Sequence, residues 1–393
     1  MAGPLAGIKI LDFTRYQQGP SATVMLAELG AEVLKVEPPG GDPGRMLSRF
    51  ADGFSSYFEA LNRGKQSIVV DLRQPGGTAV ICRLARQADV VVENFRPGVM
   101  DRLEVGYEAL SALNPRLIFA SASMFGPRGP RARHPGYDTI AQAAGGMVMA
   151  TRRPGDDLGT PLGGTADQVG GMMLAYAILA ALLHRERTGE GQKVDVSLFG
   201  SQLSLQMVAA ARGLYKHAPM LPQQGSGRIS GYVRCSDDRW IAFGHLNSPQ
   251  WVDVLRAFAL AELVDDPRFT TVEMRGSHMP QLMTMIRERA ATQPSASWLQ
   301  RLVEADIPCA LVQDYDMLAQ DPQALANSYL YHYEHPRFGT LKAVGPVAYF
   351  SKTGAVLQGP APVEPGQHTQ AILANAGFTS EEIVHLRANK VVS

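Results

Sequence analysis

Gly7-Ile8-Lys9-Ile10-Leu11-Asp12-Phe13, the break Gly19-Pro20, the run Ala22 to Leu29, Gly30, and Ala31-Glu32-Val33-Leu34-Lys35-Val36 together read as strand, helix, strand. Pro20 suits the first position of a helix and Gly30 its C-terminal cap. A βαβ unit of this kind predicts a parallel sheet with a right-handed crossover. The alternation continues: strands over Ser67–Asp71, Asp89–Glu93, Leu117–Ser121 and Lys193–Ser197. Helices are predicted over Pro75–Gln87, near Glu108–Ala112, and over Tyr137–Gly145, Ala166–Glu186 and Phe199–Leu214. The fold class is therefore α/β, with a mainly parallel sheet.

The texture changes after residue 215. Residues 216–230 are rich in Pro, Gln, Gly and Ser and read as a linker. Residues 231–325 predict a smaller α+β domain, with strands Gly231–Cys235 and Trp240–Gly244 and helices Gln250–Ala257, Gln281–Ala291 and Ser295–Ala305. Residues 326–393 read as a return crossing followed by the C-terminal part of the large domain, which ends in a helix over Thr379–Ala388.

Composition excludes several classes. The 393 residues are 45% hydrophobic and 19% charged, ordinary for a globular chain. Lys+Arg and Asp+Glu are both 37, so no global field holds a polyanion, and nucleic acid is not an expected partner. Cys82, Cys235 and Cys309 are scattered and odd in number, which fits a reducing compartment and neither a disulfide framework nor a zinc site. The start of the chain lacks a basic, then apolar, leader pattern, and a cytoplasmic location is expected. The apolar run Val169–Leu183 falls short of a membrane span and reads as a buried helix, so no membrane partner is expected.

The first βα turn, Thr14 to Pro20, lacks GxGxxG, although Glu37 stands where a ribose-binding acid would. Gly64-Lys65-Gln66 is not a P-loop, and no GxSxG occurs. His332 and His335 read as surface residues, and no metal site is expected. Asp167 is the informative residue. It opens the apolar helix in Gly163-Gly164-Thr165-Ala166-Asp167-Gln168-Val169-Gly170-Gly171. One reading is a helix N-cap. The other is a nucleophilic carboxylate kept ionised by the helix N-terminus, with the glycines letting a ligand approach the backbone.

Further landmarks are Gly30 to Pro38, Asp89 to Gly98, Gly136-Tyr137-Asp138, Arg187-Thr188-Gly189-Glu190-Gly191-Gln192, Ile307-Pro308-Cys309 and His368-Thr369. In this order the chain resembles the class III CoA-transferases, the family of formyl-CoA transferase, carnitine CoA-transferase and the α-methylacyl-CoA racemases. The resemblance implies a Rossmann-like large domain built from both ends of the chain, a small domain inserted between them, and an interlocked homodimer. It implies an enzyme that moves CoA from an acyl-CoA donor to a small carboxylic acid acceptor, with coenzyme A as substrate and product and no tightly bound cofactor. Asp167 matches the family's nucleophile, passing through an aspartyl anhydride and an aspartyl-CoA thioester. Gln17 matches a glutamine beside the acyl group. Leu72, Arg73, Asn94, Phe95, Arg96, Arg102 and Tyr137 match CoA-binding positions.

Some positions depart from the family. Pro38 and Pro39 stand where some relatives carry a basic residue, and Arg45 is the candidate replacement. Gly225-Ser226-Gly227 is all that remains of a glycine run that closes over the intermediate in formyl-CoA transferase, which makes Gly225 and Gly227 substrate-binding candidates. Asp238 stands where glycine is usual, predicting a turn with positive φ. Arg15 is a candidate partner for the second carboxylate of a dicarboxylic acid, or else a structural residue. A racemase is the rival within the family, but it needs a His where this chain has Tyr137, a poor base at neutral pH. A non-catalytic CoA-binding protein would need neither Asp167 nor Gln17.

Overall fold

The computed structural model describes residues 2–152, 155–215, 227–245 and 248–393. The chain forms two compact units, one from residues 1–215 and 323–393 and one from residues 216–322.

The first unit is built on six strands: β1 (Lys9–Asp12), β2 (Glu32–Glu37), β3 (Gln66–Val69), β4 (Val90–Glu93), β5 (Ile118–Ser123) and β6 (Lys193–Ser197). They lie in the order β3-β2-β1-β4-β5-β6, and every pairing is parallel. The helices are α1 (Gln18–Glu28), α2 (Ser56–Asn62), α3 (Gly77–Ala85), α4 (Val99–Arg102), α5 (Tyr107–Leu113), α6 (Asp138–Ala144), α7 (Met147–Thr151), α8 (Thr165–Thr188), α9 (Leu198–Leu205) and α10 (Met207–Leu214). Two-residue alternation sends Leu11, Val91 and Phe119 to one face of the sheet and Ile10, Val90, Val92 and Ile118 to the other. The first face packs on α3 and α5, together with Ile372, Leu373 and Ile383 from the two C-terminal helices. The end of the chain thus completes the core begun by its first strand. The second face packs on α1 and α8.

By length and composition α8 is apolar enough to cross a membrane. Here Leu174, Ile178, Ala181 and Leu182 join the sheet's second core. Gly170 and Gly171 serve helix packing rather than ligand approach. A Cβ on Gly171 would stand 2.7 Å from both the Gln18 carbonyl oxygen and Ser21 Cβ on α1. Gly30, with φ 97°, follows the end of α1 as expected.

Three expectations are revised. The helix read over Phe199–Leu214 breaks at Gln206 into α9 and α10. Residues 326–345 hold an antiparallel hairpin, Leu330–His335 with Gly339–Val344. His335 is buried rather than on the surface. Its Nδ1 accepts from the backbone N–H groups of Arg337 and Phe338, and its Nε2 lies 3.9 Å from Glu59. His332 is exposed.

The second unit has a three-stranded antiparallel sheet, β7 (Ser230–Arg234), β8 (Trp240–Gly244) and β9 (Cys309–Leu311), in that order. Helices Trp251–Ala257, Val272–Ala290 and Ser295–Glu304 pack on it around Trp298, Phe258 and Phe269. The second of these starts nine residues earlier than read and carries Pro280 inside it. Asp238 has φ 65°, as its turn requires. Of the predicted linker, residues 216–226 lie outside the described residues. Ile229 is fully buried, and its N–H donates to His245 Nε2 at 2.8 Å.

Candidate active site

Strand order reverses between β1 and β4, and in open α/β sheets ligands bind beyond the strand C-termini at that point. The turns that leave β1 and β4 are clasped together. Arg15 N–H donates to Asn94 Oδ1 at 2.8 Å, and Asn94 Nδ2 donates to the Arg15 carbonyl at 2.7 Å. Asn94 therefore acts on the protein's own backbone with both ends of its amide. Tyr16 then takes φ 62°, and Gln17 occupies the N-cap position of α1 without capping it. Its Nε2 reaches the Gly164 carbonyl at 3.2 Å instead. Gly164 has φ 80°, and a Cβ there would stand 2.8 Å from that same Nε2, so only glycine admits the contact.

Beneath this loop lies a dry charge cluster. Asp12 Oδ1 accepts from the Thr14 N–H and hydroxyl. Asp12 Oδ2 accepts from Thr23 at 2.7 Å and from Lys65 at 3.0 Å. Lys35 donates to the Thr14 carbonyl at 2.9 Å and pairs with Asp42 at 2.7 Å. All four charged side chains are buried. Burial pushes the Asp12 carboxyl up, but Lys65 and Lys35 outweigh it and hold the group down at about 2. Burial brings Lys65 down to about 8 against the pull of Asp12.

Asp167 is the third residue of α8, half-buried, and does not cap the helix. Gly164 is the N-cap residue and supplies no side chain. The buried carboxylate of Asp138, the first residue of α6, takes the cap's place. Its Oδ1 accepts from the N–H groups of Ala166 (2.7 Å) and Asp167 (3.1 Å). Its Oδ2 accepts from Gly164 N–H (2.9 Å) and Gln142 Nε2 (2.8 Å). Among the described residues the Asp167 carboxylate accepts no hydrogen bond. Burial first, and then the charge of Asp138, push its carboxyl up to about 7. The expectation that the helix N-terminus keeps this carboxylate strongly acidic is thereby overturned, because the donors that would do so are already taken.

Asp167 lines a cavity of about 430 Å³ with Tyr16, Gln17, Asn94, Phe95, Arg96 and Tyr137. Leu72, Arg73 and Arg15 line a neighbouring cleft of about 340 Å³, which shares Phe95 as a wall. The Arg15 guanidinium lies 5.0 Å over the Phe95 ring, outside the lining around Asp167. Arg73 forks onto Asp71 at 2.9 and 3.0 Å and is otherwise exposed. Arg102 ends α4, is exposed and belongs to neither lining. Arg45 is not free to replace a cation missing at Pro38. It is bonded twice to Glu37, at 2.7 and 2.8 Å, donates to the Pro362 and Val363 carbonyls, and stacks on Phe58. Gly225 lies outside the described residues. Gly227 has φ 58°, packs against Val272 and accepts from Arg275 within the second unit. Among the described residues no group of three His, Cys, Asp or Glu side chains is placed to hold a metal.

Two contributors escape sequence reading. Asp138 stands 29 residues from Asp167, and only the fold brings its carboxylate to the start of α8. Tyr57 on α2 is the other: burial, then the negative charge of Asp167, push its phenol well above the ordinary tyrosine range. The acidic residue opening the helix after Gly136-Tyr137 is the one signal that marked Asp138.

The fold and site define an α/β protein with a nucleotide-sized cleft beside a carboxylate in a separate cavity. The sequence profile of CoA-transferase family III matches residues 5–369, and the chain belongs to that family. It is an enzyme acting on acyl-CoA and carboxylates. It is similar to the acetyl-CoA:oxalate CoA-transferase of Acetobacter aceti, 39% identical over 342 residues, covering 84% of this chain and 85% of that protein. It is also similar to the succinyl-CoA:glutarate CoA-transferase of Mus musculus, 33% identical over 382 residues, covering 94% and 86%. Among solved structures, a CaiB/BaiF family protein from Brucella suis superposes with a TM-score of 0.85 at 29% identity, covering 96% of this chain and all of that one.

The raised Asp167 carboxyl carries a stability consequence. Between pH 4 and 7 the native state holds a proton that the unfolded chain has released, so this group lowers stability as pH rises through that window. Asp167→Asn is expected to melt higher than wild type at pH 8, with the difference vanishing by pH 4. Equal or lower melting at pH 8 would show that Asp167 is not held up by its surroundings.

Proposed function

We propose that the chain moves CoA between carboxylic acids through covalent intermediates on Asp167. Its carboxylate attacks the thioester carbonyl carbon of the donor. A C–O bond forms, the C–S bond breaks, and CoA leaves as the thiolate with the electron pair. The thiolate then attacks the Asp167 carbonyl, releasing the donor's acid as a carboxylate and leaving a thioester between Asp167 and CoA. The acceptor acid reverses the two steps. Each splits a difficult exchange into easier ones and keeps the thioester's free energy. The observation that carries this reading is Asp167 itself, a carboxylate at a cavity wall with no hydrogen-bond partner among the described residues and a basicity raised towards neutrality.

Gln17, fixed on Gly164 at the same wall, is assigned to hold the acyl oxygen. The cleft of Leu72, Arg73, Arg15 and Phe95 suits the nucleotide end of CoA, with its apolar wall for adenine and guanidinium forks for phosphate. Arg102 would add charge at its periphery. The pantetheine arm would then run past Phe95, Arg96 and Tyr137 to Asp167. Arg15 is accordingly assigned to CoA. The named relatives accept oxalate or glutarate, so a small dicarboxylic acid is the acceptor class, with Arg96 the cation on the Asp167 side.

A CoA-exchange assay with acetyl-CoA and succinyl-CoA donors against mono- and dicarboxylic acids tests these assignments. Asp167→Asn should abolish exchange with every pair, and substantial residual exchange would refute the reading. Arg15→Ala should lower kcat/KM by about 1.5–3 kcal/mol, the worth of a hydrogen bond to a charged group, equally for both acid classes. A selective loss on dicarboxylates would return Arg15 to the acceptor.

A homodimer is part of the proposal. Val208, Leu214, Tyr215 and Met207 on and beside α10, and Tyr176 on α8, are 67–83% exposed, an apolar surface that a monomer rarely leaves uncovered. Light scattering at sub-micromolar concentration should give twice 42.5 kDa. A stable folded monomer would contradict it.

A further inference from the structure

Asp138 spends three of its four hydrogen bonds on the segment that carries Asp167. Its two oxygens take three backbone N–H groups of residues 164, 166 and 167, and Gln142 holds it from within α6. Gln142 in turn donates to the Leu162 carbonyl at 2.8 Å, tying the approach to α8 to the same helix. Any helix N-terminus presents donors that stabilise a nearby anion. In α8 a second carboxylate satisfies them, so the side chain at the third position is left bare.

We infer that Asp138 is a positioning residue for the transfer reaction: by capping α8 from another helix it fixes the Asp167 backbone and withholds from the Asp167 carboxylate the donors that would make it a weak nucleophile. This inference rests on Asp167 being the nucleophile. Two consequences follow. A carboxylate of higher basicity is the stronger nucleophile once ionised. The fixed negative charge of Asp138 also disfavours Asp167 as an anion relative to its neutral acyl and thioester forms, so it biases the site towards the covalent intermediates. Other polar or titratable groups line the same cavity: Tyr16 and Gln17 on the β1–α1 loop, Arg96 after β4, and His134 and Tyr137 before α6. Tyr57 on α2 is near enough to feel the charge of Asp167, and Arg96 is the cation of the lining. The neighbouring charge that pushes Asp167 up is that of Asp138.

The test is the pH profile of CoA exchange in Asp138→Asn, which keeps the shape and one acceptor oxygen but removes the charge. The acid limb, set by Asp167, should move down by about one pH unit, the effect of losing a like charge at close range. At pH 8.5, where Asp167 is ionised in both proteins, kcat should fall about threefold or more with KM for acyl-CoA unchanged, following the usual fall of nucleophilicity with basicity. Asp138→Glu, which restores the charge, should return the acid limb to its wild-type position. An unmoved acid limb in a folded Asp138→Asn protein would overturn the inference. If that variant does not fold, ¹³C-carboxyl titration of the wild type decides, with Asp167 assigned by its loss in Asp167→Asn. A midpoint near 7 supports the inference and one near 4 overturns it. Activity surviving in Asp167→Asn would instead remove the nucleophile, and with it the reading beneath this one.

Discussion

Asp12 ends the first strand with a carboxylate that has no access to water, and the loop that carries Gln17 hangs from it. Lys65 and Lys35 compensate its charge from β3's approach and from β2, and Asp42 compensates Lys35 in turn. A buried charge without its partner costs roughly 3–5 kcal/mol, so the members of this cluster are held to one another. Thr14 is bound by both its N–H and its carbonyl, Arg15 by Asn94, and the chain then turns through Tyr16 at positive φ. Gln17 is delivered against Gly164 at the start of α8. A polar side chain thus reaches its place through a succession of fixed backbone groups that begins in the core.

The other half of the site is built on the same plan from the opposite direction. The glycines of α8 let it lie against α1, which brings the two helix N-termini together beyond the sheet. Asp138 closes the start of α8, and Asp167 stands on its third residue with its carboxylate unclaimed. The proposed nucleophile, Asp167, and the proposed acyl-holding group, Gln17, therefore meet through two helices, each pinned by a buried carboxylate. Such pinning suits a reaction in which the reacting atoms must stay within about 3–3.5 Å of attack geometry.

Much of the fold was legible in the sequence. The six parallel strands follow from apolar runs separated by turn residues, and their boundaries differ from expectation by at most two residues. Asp167 and Gln17 were singled out through the resemblance their surrounding motifs carry, and both line one cavity. What was not legible depended on pairings between distant segments. Nothing in Tyr331-His332-Tyr333-Glu334-His335 says that His335 turns inward on Glu59. Nothing near Arg45 says that Glu37 takes its guanidinium. The N-cap reading of Asp167 failed for a related reason: the donors at a helix start can be satisfied from any part of the chain, and here they are met from 29 residues upstream.

The proposed transfer stands on a covalent bond to one side chain. Incubating the enzyme with succinyl-CoA alone, quenching in acid and mapping peptides by mass tests it most directly. CoA should be found joined as a thioester to the peptide containing Asp167, and discharged when a carboxylic acid acceptor is added before the quench. Exchange that proceeds at full rate with no acyl or CoA adduct on that peptide would contradict it.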